Sequence, residues 1–173
     1  MQNKHTRTKK VAFLGIAASL AMLLSYVEFL LPPLFVAVPG IKLGLPNVVA
    51  IYLLYSVGAK SALIVSLVRV SLSSLLFGNM MTFAYSLTGA LLSLLVMLLL
   101  KKTGLLSPVG VSVAGGVTHN LGQILVAMVL LETPQIAYYM IVLTVTGVIS
   151  GTFIGLCGSF LVRRLPYKKI CNI

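Results

Sequence analysis

Acidic residues are almost absent from this chain of 173 residues. It holds two Asp or Glu against thirteen Lys and Arg, and both acids are glutamates, Glu28 and Glu132. This scarcity excludes paired-carboxylate acid–base catalysis, and it leaves a Ser/His nucleophile system without a clearly placed orienting acid. The sequence also has no Cys/His cluster and no Gly-rich phosphate loop. We therefore expect no catalytic residue, no metal and no cofactor.

Trp is absent as well, so Tyr would supply the anchors at a membrane interface. There are two cysteines, Cys157 and Cys171, and they do not form a metal-ligand pattern. Both are expected near the cytoplasmic face, where thiols stay reduced. We assign them no function.

Apolar residues, by contrast, make up 59% of the chain, and the mean hydropathy is +1.09. Soluble domains contain about 45–50% apolar residues, so we predict an all-α integral membrane protein with one domain. In a soluble protein, the net charge of +11 would suggest a nucleic-acid partner. Here the charges lie at the ends of apolar segments, which indicates attraction to lipid headgroups and no nucleic acid.

Six apolar segments predict six transmembrane helices, so that a membrane domain, 11–162, lies between basic tails, 1–10 and 163–173. The segments are 11–31, 46–57, 62–77, 81–100, 109–131 and 136–162. The first is too long for the apolar part of a signal peptide, so we expect a retained helix. The second is shorter than the ~20 residues that a crossing needs. It is either extended by 43–45 or does not cross fully.

The loop between the first two helices, 32–46, contains four prolines and two glycines, and its other residues are mostly apolar. It cannot form a regular helix. A hydrophobic, irregular loop of this length packs against other helices and is often a lid over a site. The alternative is a passive connector.

The basic residues predict the orientation of the chain. With six crossings, all of them except Lys42 and Arg69 fall on one side of the membrane. They are Lys4, Arg7, Lys9, Lys10, Lys60, Lys101, Lys102, Arg163, Arg164, Lys168 and Lys169. The positive-inside rule places both termini in the cytoplasm.

Arg69 lies inside an otherwise uncharged apolar segment, 62–77. A cation at membrane depth costs several kcal/mol, roughly 2.5–3.5 on insertion scales, and normally faces a protein interior or a wet cavity. The chain offers almost no carboxylate to pair with it. Either Glu28 or Glu132 neutralises it, or an anionic ligand does.

Other polar residues are expected at a similar depth, towards the outer half of the membrane. Together with Arg69 they form our candidate solute site: Lys42, Asn47, Asn79, Tyr85, His119, Asn120 and Gln123. His119 and Gln123 share a helix face at i, i+4 spacing. Each residue also has a structural explanation, such as hydrogen bonding between helices. Their convergence beside a cation predicts an outward-opening cavity with donors for a carboxylate or phosphate.

Rows of small residues mark two helices, because such rows let helix backbones approach closely in lipid. The sixth helix repeats Gly147, Gly151 and Gly155, for which internal packing is the favoured explanation. The first carries Ala17 and Ala21 at i, i+4 spacing. Internal packing and docking to another membrane subunit are both open for this pair.

Two stretches, PGIKLGLPN at 39–47 and THNLGQ at 118–123, resemble the Gx transporter family, also called heptaprenyl diphosphate synthase component I. The part at 42–47 is similar to the first loop of substrate-capture S components of energy-coupling factor transporters. That resemblance implies six helices, cytoplasmic termini and an outward pocket capped by the first loop. It further implies that Ala17 and Ala21 dock a transmembrane coupling subunit, with ATP hydrolysed by separate ATPase subunits.

Three functions are open at this point. The leading expectation is an S-component-like subunit that captures a small, anionic or zwitterionic solute at the outer face. The second is a noncatalytic membrane partner in prenyl diphosphate or menaquinone synthesis, since the chain lacks the Asp-rich motifs of chain elongation. The third is an accessory membrane subunit of flavin-linked electron transfer, with Arg69 neutralised internally.

Overall fold

The computed structural model describes residues 2–31 and 43–167, and within these ranges it is all-helical. The helices are α1 (Gln2–Leu30), α2 (Asn47–Ser56), α3 (Ala59–Phe77), α4 (Met80–Thr103), α5 (Pro108–Leu130), a short 3-10 helix (Pro134–Tyr139) and α6 (Met140–Arg164). The predicted all-α class is confirmed. Residues 2–10, expected from the sequence to be a basic tail, are helical and form the beginning of α1.

Five of the helical segments are long and apolar enough to cross a membrane, and α2 is the exception. It has 10 residues, which at ~1.5 Å each gives about 15 Å, half of a ~30 Å hydrocarbon core. The expectation that the second segment is short is therefore confirmed, and α2 cannot cross alone. Its first residue, Asn47, lies about half a membrane thickness from its last.

α5 packs closely against α4 and α6, because glycines let these helices approach it. A Cβ on Gly147, Gly151 or Gly155 would lie 2.7–3.0 Å from the Cα of Val117, Val113 or Val109, respectively. The three glycines of α6 are about one helical turn apart, and each of them faces α5. The prediction that this row serves internal packing is confirmed. On the other side of α5, a Cβ on Gly122 would lie 2.9 Å from the Cα of Gly89 in α4.

Several helices begin or end close together on one side of the bundle. The Tyr52 hydroxyl of α2 donates to the Leu165 carbonyl after α6 (2.8 Å), and the Lys101 ammonium of α4 donates to the Leu54 carbonyl of α2 (2.6 Å). The Phe13 ring of α1 lies 6.3 Å from the Tyr52 ring. Apart from Arg69, the described basic residues lie at or beside these helix ends, which we call the basic end. They are Lys4, Arg7, Lys9, Lys10, Lys60, Lys101, Lys102, Arg163 and Arg164.

The α5–α6 contact gives a direct test of this packing. Gly151→Ala places a methyl group 2.7 Å from the Val113 Cα, so the helices must separate. We expect the free energy of unfolding to fall by about 1–3 kcal/mol, measured by thermal or denaturant unfolding in detergent. The matched control is Gly15→Ala in α1, where a Cβ meets nothing within 4 Å and no loss is expected. Equal effects of the two substitutions would contradict this packing.

Candidate functional site

Arg69 is buried in the second half of α3, with 4% of its surface exposed. The guanidinium makes no hydrogen bond, and no ion pair within bonding distance, with residues 2–31 or 43–167. A guanidinium carries five N–H donors in a fixed fork. Burying such a group without bonded acceptors is costly, so the position demands an explanation.

Glu28 is the acid that influences Arg69. It lies in the last turn of α1, and 7% of its surface is exposed. Its Oε1 accepts the backbone N–H groups of Gly44 (2.5 Å) and Leu45 (3.4 Å), which precede α2. The carboxylate also acts electrostatically on Arg69. The Oε1 bonds tie the end of α1 to the start of α2 beside the buried cation.

Gly44 brings this segment against α5. Its φ is +81°, which favours glycine. A Cβ there would lie 2.8 Å from the Asn47 side-chain nitrogen and 3.5 Å from the His119 ring. Gly44 therefore packs against both Asn47 and His119. Asn47 is itself buried, with 7% of its surface exposed, and begins α2.

His119 continues the contact into the centre of α5. Its Nε2 lies 3.2 Å from the Nε2 of Gln123, which confirms that the two share a helix face. Both side chains are almost fully buried. A Cβ on Gly89 of α4 would lie 2.9 Å from the His119 carbonyl and 3.0 Å from its ring. Only a residue without a side chain lets α4 pack this closely at His119.

These contacts define a polar cluster drawn from α1, the start of α2 and α5, and the electrostatic action of Glu28 links Arg69 of α3 to it. Its members are Glu28, Gly44, Asn47, Arg69, His119 and Gln123. It contains a guanidinium, amide groups and the N-terminal end of a half-length helix, all of which suit a carboxylate or phosphate. The described residues contain no group of three or more His, Cys, Asp or Glu that could hold a metal.

Three other predicted site residues are not part of the polar cluster, and each has contacts that give it a structural role. The Asn120 amide donates to the Leu143 carbonyl of α6 (2.7 Å), so it joins two helices. Tyr85 packs in an apolar cluster with Ile124. Asn79 is exposed and caps α4, accepting the Thr82 N–H (2.9 Å). Asn79 also lines an open cleft of about 430 Å³ between α3 and α4.

Lys42 and the predicted lid, except for its last residues 43–46, lie outside the described residues.

The α1 alanines face inward. Ala17 and Ala21 are buried, 7% and 2% exposed, in the large apolar core that includes Leu53 and Leu54 of α2. Within this chain they serve packing, which was one of the two explanations left open. The exposed face of α1 instead presents Ile16, 71% exposed, and other apolar residues. They are Val11, Leu20, Leu23, Tyr26, Val27 and Leu30.

Three residues in or beside the polar cluster were not predicted from the sequence as site residues. Glu28 was considered only as a possible counter-charge, although an acid within an apolar helix is itself a signal. Gly44 and Gly89 carry no such signal, because their role depends on which helices meet. Only the packing around His119 reveals them.

A family model described as Heptaprenyl diphosphate synthase component I matches residues 17–161. No curated protein and no solved structure matches the chain. The matched region contains every member of the polar cluster and includes both stretches on which the resemblance was based. The chain therefore belongs to the heptaprenyl diphosphate synthase component I family.

Proposed function

We propose that this chain is a noncatalytic, S-component-like capture subunit that binds a small anionic or zwitterionic solute in the polar cluster. One observation carries the proposal: the Arg69 guanidinium is buried and has no bonded acceptor among the described residues. A solute carboxylate or phosphate would accept two parallel N–H bonds from it. Such charge-assisted bonds are strong in a low-dielectric interior.

The half-length helix α2 supports the same conclusion. Because α2 begins about half-way through the bundle, the partial positive charge of its N-terminal end lies inside the protein. Its first three N–H groups already donate to the carbonyls of Gly44, Leu45 and Pro46, so the helix end would act on an anion through its dipole. Membrane transporters use helix ends at this depth to bind anionic groups. Gly44, just before this helix end, packs against both Asn47 and His119. A solute held by Arg69 would find a further donor in the side-chain amide of Asn47.

The orientation is part of the proposal. The described basic residues other than Arg69 lie at the basic end, which the positive-inside rule assigns to the cytoplasm. Glu28 and the start of α2 lie towards the opposite end. The cluster would then be entered from outside the cell, with α2 and the residues before it completing a sixth crossing. Both termini would be cytoplasmic.

We also propose a coupling partner, since this chain has no nucleotide motif. A transmembrane coupling subunit with separate ATPase subunits would energise release of the solute. Ala17 and Ala21 are buried in this chain, so docking through α1 would use its exposed face, including Ile16, Ser19 and Leu23. Ser19 and Leu23 also line a groove of about 640 Å³ between α1 and α3.

Substitution of Arg69 tests the capture function. Purified wild-type protein should retain a small molecule that mass spectrometry detects after denaturation. Arg69→Gln should insert and fold, but retention should fall by roughly tenfold or more, because charged hydrogen bonds contribute about 1.5–3 kcal/mol.

The matched control is Arg163→Gln, which removes an exposed arginine at the basic end and should leave retention unchanged. Equal retention by the wild type and the Arg69→Gln variant would refute the proposed role of Arg69.

The family description favours a second candidate, a noncatalytic membrane partner of a prenyl diphosphate synthase. This chain contains no Asp, so a separate soluble enzyme with Asp-rich motifs would carry the chemistry. The second candidate predicts that the tagged chain co-purifies with such a synthase, whereas the capture proposal predicts ATPase and coupling subunits. Mass spectrometry of the co-purified proteins from the native membrane distinguishes the two. Recovery of the synthase alone would favour the second candidate.

A further inference from the structure

We propose that a groove between α3 and α4, at the basic end, binds one anionic phospholipid: an acyl chain lies along the groove, and the headgroup phosphate lies at Lys60. The groove has a volume of about 450 Å³. Lys60 lies at its basic end, and apolar side chains line the rest: Ala59, Leu63, Leu91, Leu94, Leu95 and Leu98. None of these residues belongs to the polar cluster, so the inference does not depend on the proposed capture function.

The form of the groove suits a single acyl chain. Leu94 is 7% exposed and forms its floor, whereas Leu95 is 53% exposed and stands at its side. Leu91 and Leu98 are seven residues apart in α4, so the groove runs for about 10 Å along a helix that rises ~1.5 Å per residue. One leaflet of a ~30 Å hydrocarbon core is about 15 Å thick. A chain in the groove would therefore have its headgroup near the basic end.

Selection between lipids comes from two exposed lysines, since neutral and anionic phospholipids carry the same acyl chains. Lys60 lies in the first turn of α3 and lines the groove. Lys102, in the last turn of α4, follows Leu98 by four residues and so lies on the same face of the helix. Lys101 instead points to α2, where its ammonium donates to the Leu54 carbonyl (2.6 Å). A headgroup phosphate at the end of the groove is therefore attracted by Lys60 and Lys102.

The charge of these two lysines is not balanced by the acids of the chain. Glu28 lies in the last turn of α1 and Glu132 follows α5, both at the end of the bundle opposite the basic end. The N-cap residue of α3, Gly58, makes no side-chain cap, so the positive end of the helix dipole adds to the attraction for an anion. Basic pockets between transmembrane helices bind anionic lipid headgroups. The groove combines such a basic end with an apolar length.

Competition between two lipids tests the selection by charge. The full chain, purified in detergent, is incubated with equal amounts of anionic phosphatidylglycerol and zwitterionic phosphatidylcholine that carry identical acyl chains, and native mass spectrometry measures each bound lipid. Wild type should retain phosphatidylglycerol in preference. Lys60→Gln combined with Lys102→Gln should lower the ratio of the two bound lipids by about tenfold or more, since each lysine near the membrane surface contributes roughly fivefold. The matched control, Lys10→Gln combined with Arg163→Gln, removes two exposed charges at the basic end away from the groove and should leave the ratio unchanged.

Filling the groove tests whether the lipid lies in it. Leu95→Trp places a larger side chain in the groove without changing the charge, so bound phosphatidylglycerol should fall by about fivefold or more. The matched control is Leu156→Trp in α6. Leu156 is 57% exposed, and both leucines lie eight residues before the last residue of their helix, so the control should retain the lipid. Should Leu95→Trp not fold, Leu91→Trp fills the same groove further from the basic end and gives the same test.

Several results would overturn the inference. One is equal retention of the two lipids by wild type, and another is an equal loss of preference in the lysine pair and its control. Unchanged phosphatidylglycerol binding in the groove-filling variant is a third. Glycerol 3-phosphate, which carries the phosphate without acyl chains, should not displace the lipid, and displacement would indicate an ion site instead. If wild type purifies without lipid, as a complex with a second copy or another subunit that Leu95→Trp dissociates, the groove is a protein interface and the inference is wrong.

Discussion

A buried guanidinium that has no bonded acceptor in residues 2–31 and 43–167 is the constraint on which the rest of this structure depends. α3 is apolar enough to cross a membrane, yet it holds Arg69 in the interior of the bundle. Among the described residues the nearest balancing charge is Glu28, whose Oε1 bonds backbone N–H groups and not the guanidinium. A folded protein keeps so costly a group where a function requires it. We propose that an anion from outside the chain meets that requirement.

The fold around Arg69 brings polar groups from four helices to one place without opening the bundle. Glycines make this close approach possible, since Gly89 and Gly122 let α4 meet α5, and Gly44 lets the start of α2 reach His119. The short α2 then leaves its N-terminal end inside the protein, next to these residues. The family description names a synthase component, whereas our proposal assigns this cluster to recognition of an anion.

Much of the architecture could be predicted from the sequence because long apolar segments and flanking charges act locally. The helical class, the short second segment and the glycine face of α6 followed from composition and spacing. The candidate site was harder to predict from the sequence. Convergence in depth predicted a site that includes Arg69, His119 and Gln123, but depth does not say which way a side chain points. Asn120 bonds a carbonyl of α6 instead. The sequence likewise could not show that Ala17 faces inward.

The most direct test of the central claim is an experimental density map of the full chain, purified without added ligand, at a resolution that shows the surroundings of Arg69. The account predicts non-protein density within hydrogen-bonding distance of the guanidinium, between it and the start of α2. A guanidinium bonded in a bidentate manner to the Glu28 carboxylate, with no guest molecule beside it, would contradict the account. The cation would then be neutralised by the chain itself.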